Sequence, residues 1–276
     1  MQSALEELGQ KINVMHSPSQ ISQEKLTEFA QNCVVALMAG GESSRFRSVP
    51  GSDSRNKNAY ELPNGDTMIE MTLRHYIEAG FKDFVCLVYH KADTVEKVLG
   101  DGSKYDVNIK YCYDPEKPVG KGGAVRNALD KGFIDKDKYL IVHNPDDLII
   151  NFDGSFPRHI VSGHLEREEE KLATVVVVKK VQHEYTGMEI VNNKVVEIEN
   201  YPMLPIPTHV GVTIFSPSCY DFFRELFDLS ERVDFEKMLF PVLSKEDKLW
   251  AVDIPNECWL PVNNFKAYKK LLKYLE

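Results

Sequence analysis

Residues 34–46, VVALMAGGESSRF, run from apolar residues straight into two glycines, two serines and an arginine. A short apolar run bounded by glycines reads as a buried strand of a parallel sheet. A loop that has shed its side chains lets backbone N–H groups close on an anion, and phosphate is the usual one. Working outward, CVVALM (33–38) is the first strand, TMIEMTLRHYIEAG (67–80) an amphipathic helix ending at Gly80, and DFVCLVY (83–89) a second strand. DTVEKVLGDG (93–102) reads as a helix, NIKYCY (108–113) as a strand, GGAVRNALDKG (122–132) as a helix and YLIVHN (139–144) as a fourth strand. This alternation favours a parallel sheet with helices on both faces.

Beyond FPRHIVSGHLEREEEK (156–171), read as a helix with a charged end, the character becomes β-rich. LATVVVVKK (172–180), GMEIVNN (187–193), KVVEIEN (194–200) and HVGVTIFS (209–216) are strands, with a hairpin turning on Asn192 and Asn193. Helices return over 217–229, 234–244 and 264–275. The sequence divides into a polar helical N-terminal extension, residues 1–32, and one domain over 33–276. In the extension Ser19 is the expected cap of a helix through QISQEKLTEFAQ.

The 276 residues carry a formal net charge of −9 and no basic block, which argues against nucleic acid or an anionic membrane as partner. Cys33, Cys86, Cys112, Cys219 and Cys258 are odd in number and mostly set in apolar surroundings, so buried reduced thiols and a cytoplasmic location are expected. No stretch approaches a membrane span, and a homo-oligomer is left open.

Ligands of an open parallel sheet sit at the carboxyl ends of its strands, and three loops there have functional composition. In the first, Gly40 and Gly41 allow close backbone approach and Arg45 offers a fork of donors to phosphate, although a plain glycine-rich turn would look alike. In the second, DPEKPVGKGGAVRNAL (114–129), Gly120, Gly122 and Gly123 precede a helix, as they would in a merely flexible loop. In the third, YLIVHNPDDLIIN (139–151), Asp146 and Asp147 suit a hard divalent cation bearing phosphate ligands, or simply form an acidic turn.

Together these segments resemble the sugar-1-phosphate nucleotidyltransferases, which join a nucleoside triphosphate to a sugar 1-phosphate and release pyrophosphate. LMAGGESSRF (37–46) is similar to that family's L-A-G-G-x-G-T-R-L signature, with Ser43 in place of the third glycine. KNAYELPNGDTMIEM (57–71) resembles the P-K-x-L-x-P continuation, placing Lys57 on the signature lysine and Asn56 where proline is usual. KPVGKGGAVRNAL (117–129) resembles the base-binding glycine loop, and VHNPDDL (142–148) the N-G-D-x-L metal loop. The resemblance implies a Rossmann-like three-layer α/β/α fold with a mixed, mostly parallel sheet and a β-rich sugar-binding edge.

It also implies roles. Ala39, Gly40, Gly41, Ser43 and Ser44 would hold the triphosphate, Arg45 the departing pyrophosphate, and Lys57 the α-phosphate and incoming sugar phosphate. Asp146 would bind Mg²⁺, with Asn263 of WLPVNNF (259–265) as second ligand or else a turn residue. Asp114, with Gly120 and Gly122, would read the base; an acceptor-only carboxylate suits the adjacent N1 and N2 donors of guanine, so GTP is the expected triphosphate. Glu116 is the alternative reader, and Asp114 could instead begin a turn with Pro115. For the sugar, Gly187, Glu199 and His209 align with family positions, His209 equally fitting a packed strand histidine, while Asn200 replaces the family's sugar-phosphate lysine. Two other functions stay open: a catalytically weakened, nucleotide-binding regulatory subunit of the same fold, and a metal-dependent glycosyltransferase using PDD (145–147), which would have no need of AGGESSRF (39–46).

Overall fold

The computed structural model describes residues 2–276. Helices α1 (Gln2–Ile12) and α2 (Gln23–Gln31) precede β1 (Cys33–Ala39), followed by α3 (Met68–Glu78), β2 (Asp83–Val88), α4 (Ala92–Leu99), β3 (Asn108–Tyr113), α5 (Gly120–Asp130) and β4 (Tyr139–His143). A short β5 (Asp147–Ile149) leads to α6 (Phe156–Leu165) and β6 (Ala173–Val178), then to the small strands β7 (Val181–Gln182), β8 (Thr186–Val191), β9 (Lys194–Asn200) and β10 (Met203–Leu204). The chain ends with β11 (Thr208–Phe215), α7 (Tyr220–Leu226), α8 (Phe235–Lys245), β12 (Leu249–Ile254), β13 (Trp259–Pro261) and α9 (Phe265–Leu275).

Seven strands form the central sheet in the order β12-β6-β11-β4-β1-β2-β3. Its strand pairs are parallel except those of β11, which runs antiparallel to both β4 and β6. β1 shows why the sheet is sandwiched. Cys33, Val35, Leu37 and Ala39 enter the core under α2, α3, α4 and α6, and Val34 and Ala36 enter the opposite core under α5, α7 and α8. A strand apolar on both faces has nowhere to lie except between two helix layers. A third cluster, with Phe46, Leu148, Val262 and Tyr268, seats α9 over β5 and β13.

Ser22, not Ser19, caps α2: its side chain accepts from Lys25 N. The residues before it are held extended by α6, where Ser162 Oγ accepts from Ile21 N at 3.1 Å and Arg158 Nε donates to Ile21 O at 2.8 Å. α2 buries Leu26, Phe29 and Ala30 in the same core as β1, while α1 buries no residue. α6 also stops short of the charged run expected to extend it. Lys171 Nζ folds back to donate to Gly163 O at 2.6 Å, satisfying a last-turn carbonyl that would otherwise need another turn.

The hairpin is as expected: Asn192 and Asn193 take φ of 49° and 64°, the left-handed conformations that a two-residue turn requires. β8 and β9 nevertheless pair only with each other, as a ribbon apart from the central sheet. All five cysteines are buried and unpaired. Among the described residues no helix is long and apolar enough to cross a membrane.

Candidate active site

A cleft of about 550 Å³ opens at the carboxyl ends of the parallel strands. It collects residues from all three predicted loops: Gly40, Gly41, Ser43, Ser44 and Arg45, then Asp114 and Gly120, then Asp146, with Lys57 and Asn263 joining them. In the first loop a Cβ on Gly41 would meet nothing within 4 Å, so its backbone lies open to a ligand. Ser43 has φ 52° and ψ 38°, the left-handed turn that the glycine of the related signature would adopt without strain. Phe46 then anchors the loop, its ring packed edge-on against Tyr60 and Tyr268, and leaves Arg45 exposed at the cleft.

Asn56 explains how Lys57 is presented. Buried at the end of β1, it donates through Nδ2 to Ala39 O at 2.7 Å and His90 O at 2.8 Å, and accepts Asn58 N on Oδ1 at 3.0 Å. This pins a 3₁₀ turn, residues 57–59, against the ends of β1 and β2 and turns Lys57 inward. The Lys57 ammonium ion-pairs with Asp146 and donates to Asn263 Oδ1 at 3.3 Å. Asp146 and Asn263 face each other because β5 pairs antiparallel with β13, Asp147 opposite Pro261, and Val262 N donates to Asp146 O at 2.7 Å.

Asp147 supports this ribbon from behind. Its Oδ1 accepts Trp259 Nε1 at 3.1 Å and its Oδ2 accepts Asn144 Nδ2 at 3.1 Å. Burial, with the neighbouring Asp146 charge adding to it, pushes its carboxyl up to about 7. The two adjacent carboxylates thus have different environments, Asp147 buried against β13 and Asp146 turned to Lys57. Asp146 and Asn263 supply two hard oxygens. Mg²⁺ is typically held by one or two such protein ligands, the rest coming from phosphate and water, so the donor set fits it.

Asp114 lines the cleft, accepts Val119 N on Oδ2 at 3.2 Å, and is raised to about 6, mainly by burial. The glycines after it are closed in by the segment joining α7 to α8. A Cβ on Gly120 would run into the Val233 backbone, and one on Gly122 into the Phe227 ring. Val233 N donates to Val119 O and Val233 O accepts Gly122 N, both at 3.1 Å. Gly122 therefore serves helix packing and does not reach the cleft, contrary to expectation, and Ala39 lies behind the first loop as an acceptor for Asn56.

The acceptor candidates are the other departure. Gly187 and Glu199 lie opposite each other on the β8–β9 ribbon, outside the cleft lining. His209 is a packed strand histidine: its Nε2 lies 3.0 Å from Thr213 Oγ1 and 3.1 Å from Val212 O, its ring meets Phe240 edge-on, and burial pulls its pKa down to about 4. In turn the cleft includes Glu42, Asn58, Lys121, Asn144, Arg232 and Asp234, which sequence reading did not single out. Asn144 was signalled by its place before the acidic pair. Arg232 and Asp234 sit in a plain DLSERVD stretch (228–234) that carries no motif.

The chain is similar to several known proteins. Over 135 residues the chain is 30% identical to an N-acetylmuramate alpha-1-phosphate uridylyltransferase of Neisseria meningitidis serogroup B, covering 47% of this chain and 56% of that protein. It is 20% identical over 255 residues to a UTP–glucose-1-phosphate uridylyltransferase of Synechocystis sp., covering 86% and 62%. The matches thus span less than two thirds of these curated relatives. A Bacillus anthracis structure described as a glucose-1-phosphate thymidylyltransferase in complex with a sucrose shares the fold, with a TM-score of 0.67 at 18% identity over 88% of this chain and 94% of that one. Residues 34–276 match the family described as nucleotidyl transferase, and the chain belongs to that family.

Proposed function

We propose that the protein transfers a nucleotidyl group from a nucleoside triphosphate, GTP by preference, to a sugar 1-phosphate. The observation that carries this reading is the meeting of Lys57, Asp146 and Asn263 in one cleft with Arg45 and the open backbone of the first loop. In the reaction an acceptor phosphate oxygen forms a bond to the α-phosphorus, the α–β bridge breaks, and pyrophosphate leaves. Negative charge gathers on transferred and departing groups, so alignment and neutralisation do most of the work. Backbone N–H groups of residues 40–44 bind the triphosphate, Arg45 pairs with the departing pyrophosphate, and Lys57 draws the α-phosphate and the incoming phosphate together. Asp146 and Asn263 would hold Mg²⁺, which when bound supplies further charge neutralisation on the phosphates.

Asp114, which lines the cleft with Gly120, offers an acceptor there, which favours a base with two adjacent donors, guanine. A glycosyltransferase reading would leave Arg45 and the first loop without a task. Purified protein incubated with each of four triphosphates and a panel of sugar 1-phosphates tests the proposal by pyrophosphate release. GTP is expected to outperform UTP, dTTP and CTP by about tenfold or more. A pyrimidine preference would remove the role of Asp114, and nucleotide binding without pyrophosphate release would favour the regulatory subunit.

A further inference from the structure

Lys57 and Asp146 are enclosed: their side chains are 8% and 17% exposed, and the ammonium stands between the Asp146 carboxylate and the Asn263 amide oxygen. These two oxygens are also the donors assigned to the divalent cation. Asp147, the other carboxylate at this end of the cleft, is occupied by Trp259 and Asn144. In this arrangement the donor pair holds one positive charge, and the Lys57–Asp146 pair is formally neutral.

We propose that Lys57 is a resident stand-in for the cation, so that the divalent ion enters this site only together with the triphosphate. The proposal rests on the reading of Asp146 and Asn263 as metal ligands. A dication arriving alone must break a shielded ion pair and then leave the Lys57 ammonium beside a double positive charge in a site screened from water. A triphosphate changes both terms. It supplies anionic oxygens for Lys57 to move onto and further ligands for the ion, so the same residue that occupies the two donor oxygens becomes a phosphate contact once the triphosphate binds. Binding of ion and nucleotide is consequently coupled, and coupling of this kind is reciprocal. The arrangement also ties Asp146 and Asn263 to one ammonium, which helps to keep them facing each other.

The test uses Mn²⁺ as probe, with binding followed by electron paramagnetic resonance and corrected for Mn²⁺ on free nucleotide. The full chain is compared as wild type, Asp146→Asn, Lys57→Gln, and Lys57→Gln with Asp146→Asn, each with and without GTP or UTP in the absence of acceptor. Wild type alone should bind Mn²⁺ weakly and tighten about tenfold or more with nucleotide, while Lys57→Gln alone should already bind about tenfold tighter than wild type alone. The double substitution should abolish that gain. Wild type binding Mn²⁺ alone as tightly as it does with nucleotide, in a manner abolished by Asp146→Asn, would overturn the stand-in role and leave the metal site intact. That comparison needs no Lys57 variant to fold. Binding that is insensitive to Asp146→Asn under all conditions would overturn both the stand-in and the metal-site assignment.

Discussion

Trp259→Phe should loosen the site from behind without touching a substrate. The indole Nε1 donates at 3.1 Å to Oδ1 of Asp147, a carboxylate only 9% exposed, and Trp259 packs partly buried against the main core. Phenylalanine keeps most of the ring packing and removes the donor, leaving a buried acceptor short of one hydrogen bond, at a cost of about 1–3 kcal/mol. The cost depends on pH. The Asp147 carboxyl is raised to about 7 by burial, so its ionised form is disfavoured in the fold, and stability from this group declines as pH climbs from the unfolded carboxylate range through 7. The indole N–H favours the ionised form, so losing it lifts the carboxyl further and the variant should suffer more at pH 8 than at pH 6. Urea unfolding followed by circular dichroism at both pH values measures this. Because β13 also sets Asn263 against Asp146, turnover per folded molecule should fall about tenfold or more, small displacements of catalytic groups being costly. Equal stability losses at both pH values with unchanged turnover would refute the supporting role of the Trp259–Asp147 bond.

His164 is fully buried and its pKa is held near 3 by burial, so the unfolded chain takes up a proton below about pH 6.5 that the fold refuses. Wild type should lose about 2 kcal/mol from this residue between pH 7 and pH 5. His164→Gln should abolish that loss, narrowing the stability gap between the two proteins, and a gap independent of pH would count against it. Gly122→Ala should cost about 1–3 kcal/mol by pressing on Phe227, more than the helix propensity of alanine returns, with normal turnover per folded molecule. Lost turnover at unchanged stability would instead put Gly122 at the nucleotide. Arg45→Ala should lower turnover about 10²- to 10³-fold with an unchanged melting temperature, because Arg45 is exposed; early melting with normal turnover would show a structural arginine.

The first five strand and helix segments after the extension were legible because strands alternate with amphipathic helices that end at glycine, and the Asn192–Asn193 turn because only such residues tolerate two left-handed conformations in succession. The first loop could be located from its shed side chains. The meeting of Lys57 with Asp146 and Asn263 could not be derived from spacing, since these lie 89 and 206 positions away along the chain and are joined only by the β5–β13 pairing and the Asn56 clamp. Resemblance to a family pointed to the residues; the ribbon and clamp provide the physical cause. Gly122 was misread for a related reason. A glycine that admits a ligand and one that admits a phenylalanine ring look the same in sequence, and the ring that fills this one comes from Phe227, beyond the reach of any local pattern. His209 likewise shows its role only once Thr213, Val212 and Phe240 surround it.

The most direct measurement follows the α-phosphate itself. With GTP labelled at that position and a panel of sugar 1-phosphates, label should pass into a nucleotide sugar with one pyrophosphate released per molecule formed, and Asp146→Asn should stop the transfer while the variant remains folded. Label that stays in the triphosphate with every acceptor, while a supplied nucleotide sugar is consumed instead, would contradict nucleotidyl transfer as the chemistry of this cleft.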